Sequence, residues 1–392
     1  MTENAARQAS MAERFRERYG ADPQGWVRAP GRAELLGTDT DDHLGYVLTM
    51  SIHLDTWIAY RPVEGTRVRL HSMNLGRDAA YELGEEPSDV AASWDRYVSG
   101  VSKALAGQQK TGMRGVDAVI HGTVPIGGGL SSSASLEVAA ALMFQAASSC
   151  PLTPLQTALA CQKAENQSVG VLCGILDQYA SLFGSAGTAI LLDCRSLTHV
   201  EVNIPADIRL VICDTNFPRT LAGSEYAKRR QECDEGTRLL REKLPGLRTL
   251  RDLSMPLFDR IKDALPDLLR RRCQFIVEEN QRVMDFTAAV VRDDRPAMKR
   301  LCTLSFQGER DLYEKTVPAM ERMFEAMDGA PGVIAARQSG GGFGGCMIAF
   351  VEAASVDAFS AHVRHAYQKE TGIKPTILAT APSQGAGPLT IA

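Results

Sequence analysis

Pro125-Ile126-Gly127-Gly128-Gly129-Leu130-Ser131-Ser132-Ser133-Ala134 joins a strand-like segment, Val116 to His121, to a small-residue run from Ser131 to Ala147 that reads as a buried helix. Glycines here let the backbone take positive φ and approach a ligand closely. The helix opens on three serines. Its first N–H groups and its dipole form an anion site suited to phosphates, and serine hydroxyls can also ligate Mg²⁺. No Gly-Lys-Ser/Thr follows, so this is not a Walker A loop. The same residues also fit an ordinary turn with a serine N-cap.

Two more loops carry chemistry-bearing residues. Ser339-Gly340-Gly341-Gly342-Phe343-Gly344-Gly345-Cys346 formally contains GxGxxG, but an apolar strand, Cys346 to Val351, follows it where a dinucleotide site needs a helix. Five glycines in six positions exceed what a hairpin turn needs and suggest a loop that wraps a ligand. Trp26 to Arg32 reads as a strand entering a loop, and the stretch Pro30-Gly31-Arg32-Ala33-Glu34-Leu35-Leu36-Gly37-Thr38-Asp39-Thr40-Asp41-Asp42-His43 as an acidic, polar loop between two strand-like stretches. Three aspartates within four residues fit a metal, a polyhydroxylated ligand or a solvated loop. His43 reads as a local hydrogen-bonding residue. Glu165 and Asp177 stand in largely uncharged surroundings, where a carboxylate is either paired or functional.

Around these loops the chain is α+β. Strands are expected at Val47 to Tyr60, Val68 to His71, Ala80 to Leu83, Ala189 to Leu192 and Leu210 to Cys213. Helices are expected near 11–19, 155–167, 224–244, 273–291, 316–327 and 354–368. A length of 392 residues fits two domains, placed at 1–205 and 206–392. The net charge of −4 and the lack of a Lys/Arg-rich run argue against nucleic acid as partner. Nine scattered cysteines form no CxxC pair, which points away from zinc and disulfides and toward the reducing cytoplasm. The polar start, Met1 to Gly20, has no signal-peptide core. No run of roughly 18 apolar residues is present, so no membrane span is expected.

Taken in order, the motifs resemble those of the GHMP kinases and, within them, the galactokinases. Ala29-Pro30-Gly31-Arg32 to Asp41 is similar to A-P-G-R-V-N-L-I-G-E-H-T-D, and Gly129 to Ala134 to G-L-S-S-S-A. Cys173-Gly174-Ile175-Leu176-Asp177-Gln178 resembles C-G-I-M-D-Q, and Gly340 to Cys346 resembles G-x-G-F-G-G-C. Ser224-Glu225-Tyr226 with Arg229-Arg230 resembles S-E-Y-x-x-R-R, and the match runs from about Phe15 to Val351.

The resemblance implies an N-terminal ribosomal-S5-like domain and a C-terminal ferredoxin-like domain, with the site between them. It implies an ATP- and Mg²⁺-dependent sugar 1-kinase, a monomer or homodimer, acting on galactose. By position Asp177 would be the general base or would orient the C1 hydroxyl, with Arg32 beside it. A neighbouring cation weakens a carboxylate as a base, which favours orientation and charge stabilisation, and phosphoryl transfer tolerates this. Ser133 and Glu165 match the Mg²⁺ ligands. Gly127, Gly128, Gly129, Leu130, Ser131, Ser132 and Ser133 would hold the ATP phosphates. Trp94 resembles a tryptophan near the adenine, although a core role fits it equally. Thr38, Asp39, Asp41, Gly174 and Tyr226 match sugar-contacting positions.

The pattern breaks at Thr38-Asp39, where the family has Glu-His at the end of the site that holds the galactose C6 hydroxyl. A hexuronate or L-arabinose is therefore an alternative substrate, although Asp39 would repel a uronate. Glu34 replaces the family Asn. Phe275 and Phe306 replace histidines and read as core adaptations. A mevalonate- or homoserine-type kinase conflicts with the S-E-Y-x-x-R-R and C-G-I-x-D-Q matches. A non-catalytic sugar sensor conflicts with the intact serines and Asp177.

Overall fold

Two β-sheets carry the chain in the computed structural model, which describes residues 3–85, 87, 93–107, 112–218 and 222–389. A helix α1 (Glu3–Tyr19) leads into β1 (Gly25–Leu36) and β2 (Tyr46–Pro62), then β3 (Arg67–Ser72) and β4 (Arg77–Glu82). Helix α2 (Trp94–Ala106), β5 (Val116–Gly122), α3 (Ser132–Ala147), α4 (Pro154–Ala164) and α5 (Leu176–Phe183) follow, then the hairpin β6 (Thr188–Asp193) and β7 (Thr198–Asn203). The remainder runs β8 (Ile208–Asp214), α6 (Ala222–Arg241), α7 (Met255–Ile261), α8 (Asp267–Val291), α9 (Arg295–Asp311), α10 (Pro318–Asp328), β9 (Val333–Gln338), β10 (Cys346–Glu352), α11 (Val356–Thr371), β11 (Thr376–Thr380) and β12 (Gly387–Pro388).

The first sheet has the order β12-β1-β2-β5-β3-β4, with β6 and β7 attached through β2. Its pairs are antiparallel except β3 with β5. The β1–β2 register shifts between Pro30 and Arg32 and again between Glu34 and Leu36. Such irregularities bend a strand and re-aim its side chains, often beside a functional site. The expected acidic loop is corrected here: β1 continues to Leu36, so Arg32 and Glu34 are strand residues. Helix α3 is apolar nearly all round and buried, against α2, β1 and β2.

The second sheet has the order β11-β8-β10-β9. The sheets part between Asn203 and Ile208, but β12 returns to pair with β1, Val27 opposite Pro388. A unit made of all of 206–392 is therefore corrected at its tail. One apolar cluster joins both sheets: Leu48 and Ile52 from the first, Ile212 and Ile348 from the second, Phe286 and Leu301 from α8 and α9. Phe286 is fully buried with its ring centroid 5.4 Å from that of Phe350. Burial of such a side chain contributes about 1.5–3 kcal/mol. Phe275 and Phe306 lie in apolar clusters, Phe275 against Tyr313 and Phe306 stacked on Phe324. Helices α2, α5, α7 and α9 and strands β7, β9, β11 and β12 were not expected from the sequence. Among the described residues no helix is long and apolar enough to cross a membrane.

Candidate active site

The three loops converge. The Arg32 backbone N–H donates to the Leu130 carbonyl at 3.2 Å, and the Cys346 N–H donates to Gly128 O at 3.0 Å. Gly340, at φ 83°, has no room for a Cβ, which would sit 2.9 Å from Gly129 O. A cavity of about 550 Å³ opens where they meet. Gly127 (φ 74°) and Gly129 (φ 80°) turn the chain into α3, and Ser131 precedes that helix at φ 61°. A non-glycine residue in the left-handed region is strained, and such strain gathers at functional sites. Among the described residues no side chain caps α3, and the buried Ser131 Oγ has no hydrogen-bond partner. The start of α3 is thus an open anion site on the cavity wall. Gly127, Gly129, Ser131, Ser132 and Ser133 border the cavity, but Gly128 and Leu130 do not, and Leu130 packs into the core.

Arg32 reaches across from β1 to Asp177 at the start of α5, Nη2 to Oδ1 2.8 Å, while its Nη1 donates to Gly129 O at 2.6 Å. One guanidinium therefore ties the phosphate-loop backbone to the carboxylate. Glu165 opens a π-helical turn (Glu165–Val169), a rare form found mostly at functional sites. Its Oε2 accepts from Gln178 Nε2 at 2.8 Å and from the Cys173 thiol at 3.2 Å. Burial, reinforced by Asp177, holds its carboxyl above the usual range, and contacts with Cys173 and Ser133 offset part of this. Glu137 on α3, fully buried, is held well above the usual range by burial and by Glu165, and its Oε1 has no partner among the described residues. Crowded carboxylates beside serine hydroxyls, Ser133 and Glu165 among them, put oxygen donors on the cavity wall, the ligand type that Mg²⁺ takes. Sequence reading missed Glu137, for which its i+4 spacing from Ser133 on one helix face was the available signal.

At the other end Asp41 packs on Gly174. A Cβ there would meet Asp41 Oδ2 at 2.0 Å. Burial, then Asp42, Glu34 and Asp177, raise the Asp41 carboxyl well above its usual range. Gly174→Ala is expected to displace Asp41 and to lower kcat/KM by about 10²-fold, since an ångström of misplacement can cost that much. Steady-state kinetics beside a thermal melt would check it, the melt showing that the fold survives. Tyr226 Oη donates to Asp42 Oδ2 at 2.5 Å, and Arg230 pairs with the other oxygen at 3.1 Å. Tyr226 therefore borders the cavity while holding the acidic turn.

Thr38 and Asp39 meet residues from the C-terminal half. Lys315 Nζ lies 2.6 Å from Asp39 Oδ2, with both side chains almost fully buried. The Thr38 hydroxyl donates to Glu309 Oε1 at 3.1 Å and accepts from Arg337 Nη2 at 2.5 Å. Arg337 also pairs with Glu309 at 2.8 Å and with Glu279 at 3.5 Å. Burial pushes the Glu309 carboxyl up to about 7 against the pull of Arg337. Burial also raises Asp39, opposed by Lys315. Asp39 itself sits at φ 62°. None of Lys315, Arg337, Glu309 and Glu279 was singled out from the sequence. Trp94 does not border the cavity; it begins α2 and packs against the apolar cluster of the first sheet. His43 is buried and lines no part of it.

Comparison with known proteins places this arrangement. The GHMP kinases N terminal domain family matches residues 96–185, the GHMP kinases C terminal family 286–369, and the galactokinase galactose-binding signature 13–62. That signature spans Arg32, Glu34, Thr38, Asp39 and Asp41. The galactokinase of Roseiflexus sp. (strain RS-1) is 39% identical over 378 residues, covering 96% of each chain. The structure of Lactococcus lactis galactokinase complexed with galactose superposes with a TM-score of 0.93 at 32% identity, over 97% of this chain and 100% of that one. A D-glycero-D-manno-heptose 1-phosphate kinase shares the fold at a TM-score of 0.62 and 15% identity, over 94% and 99% of the two chains. The chain belongs to the galactokinase family of the GHMP kinases.

Proposed function

We propose that this enzyme transfers the γ-phosphoryl group of ATP to the anomeric hydroxyl of D-galactose, giving α-D-galactose 1-phosphate and ADP. The observation that carries the proposal is the Arg32–Asp177 pair, 2.8 Å apart, facing the same cavity as the uncapped start of α3. A proton-accepting carboxylate and an anion site sharing one space suit phosphoryl transfer, which sugar binding alone would not call for. In the proposed reaction Asp177 orients the sugar O1–H and accepts its proton late, once O1 has begun to bond to phosphorus and the hydroxyl has become acidic enough for a carboxylate paired with Arg32. O1 bonds to the γ-phosphorus, and the bond from that phosphorus to the β–γ bridging oxygen breaks. Arg32 fixes the carboxylate and leaves a positive charge beside the transferring group. The backbone from Gly127 to Ser133 holds the phosphates. Ser133 and Glu165 would hold Mg²⁺, which when bound neutralises phosphate charge. Asp41, Gly174 and Tyr226 form the sugar-facing wall.

ADP release with ATP·Mg²⁺ tests this against D-galactose, D-galacturonate, L-arabinose and D-glucose. D-Galactose should give the highest kcat/KM. D-Galacturonate should be at least about 100-fold poorer, because the Glu34 carboxylate, its Oε1 unpartnered among the described residues, borders the cavity and like charges brought together cost several kcal/mol. A C6-variant sugar outperforming galactose would keep the anomeric kinase and change its substrate. Absence of turnover with every sugar would overturn the kinase reading.

A further inference from the structure

Glu34 is 3% exposed, borders the cavity, and its carboxylate oxygen Oε1 has no hydrogen-bond partner among the described residues. Buried polar atoms are almost always satisfied, so an orphan on a cavity wall asks for a ligand. The main chain of Glu34 is fully engaged: its N–H donates to Ser339 Oγ at 3.0 Å, and its carbonyl faces Arg337 Nη1 at 3.4 Å. The residue is therefore clamped between β1 and the end of β9 while its carboxylate oxygen stays free. Its neighbours on the wall are committed. The Thr38 hydroxyl is held by Glu309 and Arg337, and the Asp39 carboxylate by Lys315. The register shift between Glu34 and Leu36 sets this side chain at an irregular place in the strand.

We infer that Glu34 is a specificity-determining residue whose free carboxylate oxygen accepts a hydrogen bond from one hydroxyl of the sugar. This rests on the proposed kinase reading for the identity of the ligand. The bond is made in ground state and transition state alike, so its loss falls mainly on KM. A carboxylate accepting from a hydroxyl in a water-poor pocket discriminates strongly against an analogue that lacks the hydroxyl.

The test compares wild type, Glu34→Gln and Glu34→Ala with D-galactose and its monodeoxy analogues, by kcat and KM and by calorimetric titration of sugar without ATP. Glu34→Ala should lower kcat/KM for galactose roughly 10- to 100-fold, mostly through KM, with Glu34→Gln between. One monodeoxy analogue should lose a similar factor with wild type and lose no more with Glu34→Ala, the signature of a shared pair. The melting temperature of Glu34→Ala should stay level or rise, because an unsatisfied buried acceptor is removed. Equal sugar affinity in wild type and Glu34→Ala overturns the inference. So does an equal Glu34→Ala penalty across all analogues, or a collapse in melting temperature that accounts for the loss. Galactose binding without turnover in wild type would overturn the kinase reading alone.

Discussion

Asp177→Asn is expected to lower kcat by roughly 10²–10⁴-fold, the range that a positioned proton acceptor contributes, with little change in KM or melting temperature. The substitution keeps size and shape, and its amide oxygen can still accept from Arg32 Nη2, now 2.8 Å from Oδ1. Arg32 also keeps its 2.6 Å bond to Gly129 O, so the phosphate-loop backbone stays tied to β1. What disappears is the negative charge and the site for the O1 proton. The fold should respond little, because the amide keeps the hydrogen bond to Arg32 and its neutrality relieves the repulsion that Asp177 exerts on the buried carboxylates of Glu165 and Glu137. Coupled-assay kinetics with saturating ATP, beside a thermal melt, would decide it. A variant with near-wild-type kcat would mean that the phosphate loop alone carries the reaction and that Asp177 has only a structural part.

That Asp177 and Arg32 belong together was legible only through the family resemblance, to which each contributes a short, chemically pointed segment. The glycine and serine runs at 127–133 and 340–345 were legible directly: unusual backbone demands leave unusual residues. The fold class followed from apolar runs of the right length, and long segments such as β2 stood out. Helix α9 did not, since Cys302, Thr303, Ser305 and Gly308 blur its apolar stripe, although Asp294 before Pro296 is a usable start signal. The wall around Thr38 and Asp39 was not legible at all. Lys315 reaches Asp39 across 276 positions and Arg337 reaches Thr38 across 299, and no local pattern encodes a contact of that span. The sequence therefore marked the departure at Thr38-Asp39 without revealing that a second half of the chain fills it. Glu34 was noticed without an account for a related reason: its meaning lies in what does not touch Oε1, which only three dimensions reveal.

Lys315→Met is expected to give the largest loss of stability, about 3–5 kcal/mol, the usual penalty for leaving one member of a buried ion pair uncompensated. Lys315 Nζ and Asp39 Oδ2 are 2.6 Å apart, with side chains 1% and 3% exposed. Methionine fills most of the volume, so the loss is electrostatic. The Asp39 carboxyl, already raised by burial and restrained by Lys315, would move further up once that restraint is removed. An acid whose folded-state pKa lies above its unfolded value favours folding most below the unfolded pKa, and that advantage is lost as pH rises through the folded one. The deficit of Lys315→Met relative to wild type should therefore shrink as pH falls and widen toward neutrality. The double variant Asp39→Asn/Lys315→Met should recover much of the loss, because two neutral groups leave no buried charge, and the cycle of single and double variants measures the pair itself. Urea melts at several pH values would read all of this. A Lys315→Met protein within about 1 kcal/mol of wild type, or a double variant no better than the single, would show that water reaches Asp39 and that the pair is incidental. If the loss, its pH dependence and the recovery all appear, then Thr38-Asp39 is an ion-paired wall held from the C-terminal half, and the sugar site is rigid only while the two halves stay packed.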